Sequence, residues 1–327
     1  MLSRRALLAA PALIAAPAGL RAASAYGGAL DLARSFDQLR CLVVARGGEV
    51  VVEEVVSGPP ADRPVNVKSV SKTIVAALLG AAVDRGDVPR VEATLHEVAP
   101  RLVPAEADPR VADLTLEDLV TMRAGLERTS GANYGGWVAS RDWVADALRR
   151  PFVAEPGGRM LYSTGSFHVL GAALAEATGE SLLAQARARL GDPLGIEIPP
   201  WTRDPQGYYL GGNQMALSPH AMLRFGEMVR QGGRWDGVQV LSEDWLAASF
   251  EPRTFSPWSG LGYGYGWFIG RVAGGPLAIA RGYGGQVIAV APGAETTIAI
   301  TSDPTRPARS GGYFGDLMQL IGLIARA

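Results

Sequence analysis

The placement of the strand-forming runs constrains this chain most. Residues 41–57 read CLVVARGGEVVVEEVVS. Two β-branched runs flank Gly47-Gly48, which predicts a hairpin. A second block follows Gly262, where YGYGWFIGRV, PLAIARG, GGQVIAVAP and TTIAITSD are short apolar runs broken by Gly and Pro. Between the two blocks the spacing is mostly helical, with long loops. Strand-rich chain ends that share one sheet give an α/β fold: an antiparallel sheet built from both ends and flanked by helices, with an inserted, mostly helical region. The expected division is 26–86 and 218–327 for the sheet domain and 87–217 for the helical insert. A pocket is expected at their junction.

Local signals fill in the helices. Ser69 opens a helical stretch with Ile74, Leu78 and Ala82 on one face. Thr115 (with Asp118 three residues on), Ser140 and Ser181 are predicted N-caps, and Gly125, Gly179 and Gly191 predicted stops. Ser218-Pro219 is an N-cap followed by Pro at the first helical position. Residues 312–327 read as a final helix.

The chain has 327 residues and a formal net charge of -1, without the basic excess of a nucleic-acid binder. Residues 1–25 read as a secretory leader: Arg4-Arg5, an apolar stretch over 6–20, then Ala23-Ser24-Ala25 as a small-x-small cleavage site. The arginine pair also resembles a twin-Arg signal, and an uncleaved anchor is the alternative. The expected product is exported, periplasmic or secreted, with no transmembrane segment after cleavage. The single cysteine, Cys41, cannot form an internal disulfide and reads as a buried strand residue.

Composition matters at one point. Of the 31 basic residues only Lys68 and Lys72 are lysines. Ser69-Val70-Ser71-Lys72 is S-x-x-K at a helix start, which puts Ser69 and Lys72 on one face, about 4.5 Å apart along the axis. A serine hydroxyl needs a neighbouring base to become a nucleophile. Lysine can serve if burial and nearby positive charge lower its pKa, whereas arginine stays protonated. On that basis Lys72→Arg is expected to keep the fold and abolish turnover. The plainer reading makes Ser69 a helix cap with both lysines solvated. No G-x-S-x-G elbow is present, which disfavours a Ser-His-Asp triad on an α/β-hydrolase fold. No H-E-x-x-H, cysteine cluster or Asp-rich loop is present, and GLGYGYGWFIG lacks the G-x-G-x-x-G spacing, so no metal and no cofactor is expected.

VKSVSKTIVAALLGAAVDRG resembles the first motif of the serine β-lactamase and penicillin-binding protein superfamily. It is most similar to the class C β-lactamase branch, with its esterases and 6-aminohexanoate-dimer hydrolases. LTLEDLVTMRAGL, PGGRMLYSTGSFHVLGAALAEATGES, GGNQMALSPHAMLRFGEMVRQGGRWDGVQVLS, GYGYGWFI and ARGYGGQVIAVAP continue the resemblance in the family's order across residues 40–325.

The resemblance implies site residues. The family's Tyr-x-Asn falls on Tyr162-Ser163-Thr164, which keeps the tyrosine and puts Thr164 where an asparagine holds substrate. Near Lys72 the phenol of Tyr162 is expected to lose its proton more easily and to act as general base, then acid. The third motif, Lys-Thr-Gly or His-x-Gly, falls on Ala280-Arg281-Gly282; only the glycine is kept. Its alternative role is a plain turn or bulge. The implied oxyanion hole is the N–H pair of Ser69 and Tyr283. Tyr134 and Trp137 lie in a loop that the resemblance places over the cleft, either lining it or packed on the surface. Ala280 cannot hold a substrate carboxylate, and Arg281 can only if strand alternation turns it inward.

These readings imply a serine hydrolase that cleaves an ester or amide of a small molecule or peptide through acyl-Ser69. A DD-carboxypeptidase or weak β-lactamase is one alternative. A non-catalytic peptidoglycan- or peptide-binding module, suggested by Thr164 and Ala280, is the other.

Overall fold

A computed structural model describes residues 25–327. The expected leader therefore lies outside the described residues except for Ala25. The first block of strands forms the predicted hairpin: β1 (Leu39–Arg46) and β2 (Glu49–Val55) pair antiparallel with the turn at Gly47-Gly48. β3 (Val65–Lys68) pairs with β4 (Met215–Leu217) in a small separate sheet. β5 (Arg234–Trp235) and β6 (Val238–Gln239) make a short hairpin. The second block contributes β7 (Thr254–Phe255), β8 (Gly262–Tyr263), β9 (Phe268–Val272), β10 (Gly275–Gly282), β11 (Gln286–Ala291) and β12 (Thr296–Ser302).

The main sheet is antiparallel and runs β2-β1-β12-β11-β10-β9-β8-β7. β1 and β12 lie side by side, so strands from both chain ends pair within the sheet, next to its β2 edge. β11 and β12 are buried at every position, as strands covered on both faces must be. Helix α1 (Gly27–Arg34) packs on the C-terminal helix Tyr313–Arg326, while α2 (Val70–Asp84) packs on β10 and β11. Among the described residues no helix is long and apolar enough to cross a membrane.

The region between carries the short helices α3 (Leu116–Val120), α4 (Tyr134–Val138) and α5 (Trp143–Leu148), then the longer α6 (Thr164–Thr178). Thr115 and Asp118 form a reciprocal capping box, and Ser181 and Ser218 accept from Ala184 N and Ala221 N. Four local expectations change. Asp142, not Ser140, caps α5, because its carboxylate accepts from Ala145 N at 2.8 Å. The helical stretch runs on past Gly191 and stops at Gly195, where φ is +60°. Gly125 follows no helix end directly, since α3 already stops at Val120. Residues 215–217, read as the end of the helical region, are strand, paired to the segment that leads into Ser69.

Candidate active site

Helix α2 is buried from Val70 through Ala82, so its apolar character continues all round rather than along one face. Lys72 therefore enters the interior with it and is 1% exposed. Ser69 stands just before the helix in a helical conformation, and its side chain caps nothing. The cap alternative thus fails, and the hydroxyl is free for Lys72. The amine Nζ lies 3.0 Å from Ser69 Oγ, 3.3 Å from Thr164 Oγ1 and 2.6 Å from the Gly212 carbonyl. Burial alone pulls its pKa from 10.5 to about 7; the nearby positive charge expected from the sequence is not a cause. As a neutral amine, Lys72 can donate to Gly212 O and Thr164 Oγ1 and accept the Ser69 proton.

Tyr162 reaches the same point from the start of α6. Lys72 Nζ lies 5.0 Å from its ring centroid, and the ring stacks on Phe268. The sequence suggested that the phenol would lose its proton readily. The structure gives the opposite balance: burial raises its pKa, against opposing contributions from a Ser69 hydrogen bond and the Arg281 charge. Near neutral pH Tyr162 keeps its proton, and Lys72 is the better-placed base.

Thr164 is buried at the first position of α6. Its Oγ1 lies 3.0 Å from Ser130 Oγ, which also accepts from Thr164 N at 2.9 Å. Sequence reading passed over Ser130 because it belongs to no motif. It also gave no role to Gly211 or Gly212. A Cβ at Gly211 would sit 2.1 Å from Phe167 O, and one at Gly212 would sit 3.0 Å from Thr164 O. Only glycines let this loop lie on α6 and deliver the Gly212 carbonyl to Lys72. The doubled glycine in the quoted GGNQMALSPH run was the available signal.

On strand β10, Ala280 is fully buried and alternation turns Arg281 to the cleft. Its guanidinium donates to Ser310 Oγ at 3.2 Å and Ala308 O at 2.7 Å, and stacks 3.6 Å from the Phe314 ring centroid. Burial lowers its pKa to about 10. Gly282 is a point of close approach rather than a bulge: a Cβ there would lie 2.4 Å from Val67 O. Tyr283 follows, 52% exposed at the cleft mouth. Among the described residues neither the Ser69 nor the Tyr283 amide donates a hydrogen bond within the protein.

The cleft between these elements has a volume of about 1030 Å³ and holds Ser69, Tyr162, Thr164, Arg281, Gly282 and Tyr283. Tyr134 also lines it, its hydroxyl accepting from Asn213 Nδ2 at 3.1 Å. Trp137 does not. One helical turn beyond Tyr134 it faces inward, is fully buried, and donates from Nε1 to Trp143 O at 2.8 Å.

The family model described as Beta-lactamase matches residues 32–321. Esterase EstB of Burkholderia gladioli is 33% identical over 182 residues, which are 47% of this chain and 44% of that protein. The chain thus spans less than half the length of that relative. Two solved structures share the fold. One is EstCE1, a hydrolase with promiscuous acyltransferase activity, at TM-score 0.72 and 18% identity over 93% of this chain and 98% of that one. The other is a penicillin-binding protein homolog from Caulobacter crescentus, at TM-score 0.71 and 18% identity over 94% and 97%. With the family match spanning most of its length and a buried Ser–Lys pair at the start of α2, the chain belongs to the beta-lactamase family.

Proposed function

We propose that this protein is a serine hydrolase that cleaves an ester or amide through a covalent acyl-Ser69 intermediate. The observation that carries the reading is the fully buried Lys72, 3.0 Å from Ser69 Oγ, with a pKa near 7. A lysine at that pKa is part neutral at physiological pH and can take a proton. The relatives named esterase and hydrolase support the same class.

The reaction runs in two halves. Ser69 Oγ gives its proton to neutral Lys72 and attacks the carbonyl carbon, and the oxyanion forms against the free amides of Ser69 and Tyr283. Collapse breaks the bond to the leaving group, which takes a proton through the Lys72–Tyr162 pair. A water molecule then gives its proton to the regenerated base, attacks the acyl carbon and releases the carboxylic acid and free Ser69. The leader expected at residues 1–25 supports an exported protein, which N-terminal sequencing of the protein from a periplasmic fraction checks.

Intact-mass analysis after a fluorophosphonate probe tests the reading. Wild type gains one adduct and Ser69→Ala gains none. An unlabelled, folded wild type, or equal labelling of both, overturns it. Relative kcat/KM on p-nitrophenyl esters, nitrocefin and D-Ala-D-Ala peptides separates an esterase from the β-lactamase and DD-carboxypeptidase alternatives. Labelling with no turnover of any of them favours the binding module that Thr164 and Ala280 suggest.

A further inference from the structure

Met122 occupies a backbone position that suits glycine. Helix α3 ends at Val120, and Thr121 closes it. Met122 N then donates to Leu119 O at 3.3 Å, and Arg123 N donates to Asp118 O at 2.7 Å. These are the two bonds of a Schellman ending, in which the residue after the cap turns left-handed. Met122 has φ +63° and is fully buried. Glycine takes that conformation without steric cost, whereas a bulky side chain there is strained. Helix α6 ends in the ordinary way, on Gly179 at φ +69°. Backbone strain of this kind persists where surrounding contacts over-determine it.

The contacts of Met122 converge on one place. Its carbonyl accepts from Leu161 N at 2.8 Å, and its sulfur accepts from Ser163 N at 3.3 Å. The two donors are the neighbours of Tyr162. Main chain and side chain of one residue therefore grip the segment on either side of the phenol. A glycine at 122 would relieve the strain and supply only the first bond. Ser163 does not hold the segment from within: it precedes α6 without capping it, and its hydroxyl is turned to Thr129. The N–H groups at the start of α6 are met from outside. Met122 Sδ accepts from Ser163, Ser130 Oγ from Thr164 and Thr129 Oγ1 from Gly165. Of these three anchors, Met122 also holds the residue before Tyr162.

We propose that Met122 is a positioning residue: its carbonyl and sulfur together fix Tyr162 beside Ser69 and Lys72, and the left-handed backbone is kept because a side chain is needed there. A thioether is a weak acceptor, but without it the buried Ser163 N–H is left unpaired. Tyr162's part in turnover rests on the hydrolase reading. The clamp does not, and its test includes a measurement made without substrate.

The full chain is isotopically labelled at tyrosine Cζ and read by NMR, with the Tyr162 resonance identified by its loss in Tyr162→Phe. Met122→Leu keeps the bulk and removes the sulfur. Met122→Asn puts an oxygen the same number of bonds from Cα as Sδ and tolerates the left-handed backbone. Met122→Gln, whose oxygen lies one bond further out, takes its place if Met122→Asn does not fold. The expected result is one sharp Tyr162 signal in wild type, a broadened or doubled one in Met122→Leu, and a return to one signal in the variant with the oxygen. On a p-nitrophenyl ester, Met122→Leu should lose about tenfold in kcat with KM little changed, because the phenol is no longer held in line. The oxygen variant should recover part of that loss. A Tyr162 signal that is unmoved in Met122→Leu overturns the proposal. So does an equal disturbance in both variants, which assigns the effect to packing. Wild type with no turnover of the ester sinks the hydrolase reading, and the resonance still decides the clamp. Turnover with an unmoved resonance sinks the clamp and leaves the hydrolase standing.

Discussion

Gly282 lies so close to Val67 that a Cβ on the glycine would stand 2.4 Å from the valine's carbonyl oxygen. That contact sets strand β10 against the end of β3, and β3 leads through Lys68 directly into Ser69. The two amides proposed to hold the oxyanion, on Ser69 and Tyr283, owe their spacing to it. Gly282→Ala must push the strands apart or strain the backbone. Overpacking of this kind costs about 1–3 kcal/mol. The expected outcome is a lower urea midpoint together with a loss of kcat/KM larger than the change in KM. A variant with wild-type turnover contradicts the coupling.

Lys72 gives a pH prediction with a defined sign. Its pKa is about 7 in the fold against 10.5 as a free side chain. Between those values the unfolded chain holds the proton and the folded one does not. Stability therefore rises with pH across that window, and the buried amine opposes folding most below about pH 7. Lys72→Met fills similar space with no charge to bury. It should raise the melting temperature below pH 7 and abolish probe labelling. For wild type, kcat/KM should climb along an acid limb near pH 7, as Lys72 becomes able to accept the Ser69 proton. A flat profile through that region rules out Lys72 as the base. The structure also revises the expected behaviour of Lys72→Arg. At 1% exposure, with three acceptors fixed around Nζ, the site has no room for a guanidinium, so that variant should fold poorly.

Ser130 positions Thr164, which in turn meets Lys72. Ser130→Ala removes the partner of Thr164 N and of Thr164 Oγ1. The expected result is a moderate fall in kcat with the acid limb displaced, because the hydroxyl facing Lys72 is no longer held. Ser130→Thr should restore much of both. A loss of stability with no change in the pH profile reduces Ser130 to a structural role.

The His168 and Asp204 side chains are both fully buried and meet at 3.0 Å away from the cleft, while His168 Nδ1 has no partner among the described residues. The ring sits against Trp137 and Trp143. Asp204→Ala leaves the second ring nitrogen and Tyr208 N without their acceptor, at a cost of about 1–3 kcal/mol. Chemical denaturation should show that loss, while kcat/KM of the folded enzyme stays the same. Unchanged stability would mean the pair contributes nothing.

Much of this protein was legible in its residues, because the signals are local. Period and composition place strands at both ends. Ser218-Pro219 and the Thr115–Asp118 box mark helix starts, and S-x-x-K puts Ser69 and Lys72 one turn apart. Trp137 was misplaced because a loop aromatic carries no sign of which side it faces. Asp142 displaced Ser140 as a cap because either side chain could serve and only the backbone path chooses between them.

The rest is non-local. A sequence shows that Lys72 follows Ser69 by three residues. It does not show that α2 is sheathed on all sides, and only that burial moves the amine to a pKa near 7. Ser130, Gly212 and Arg281 come from points far apart in the chain, and packing alone brings Ser130 and Arg281 to one cleft and the Gly212 carbonyl to Lys72 beside it. The same holds for Lys68, Arg128, Arg281 and Arg309, which line the cleft and pair with no carboxylate among the described residues. Each is an ordinary residue in its own segment, and their common sign becomes an electrostatic feature once the fold gives them one wall. Local geometry therefore fixed the nucleophile and its neighbour, while desolvation and long-range contact decided the protonation states and the charge that the cleft presents to a ligand.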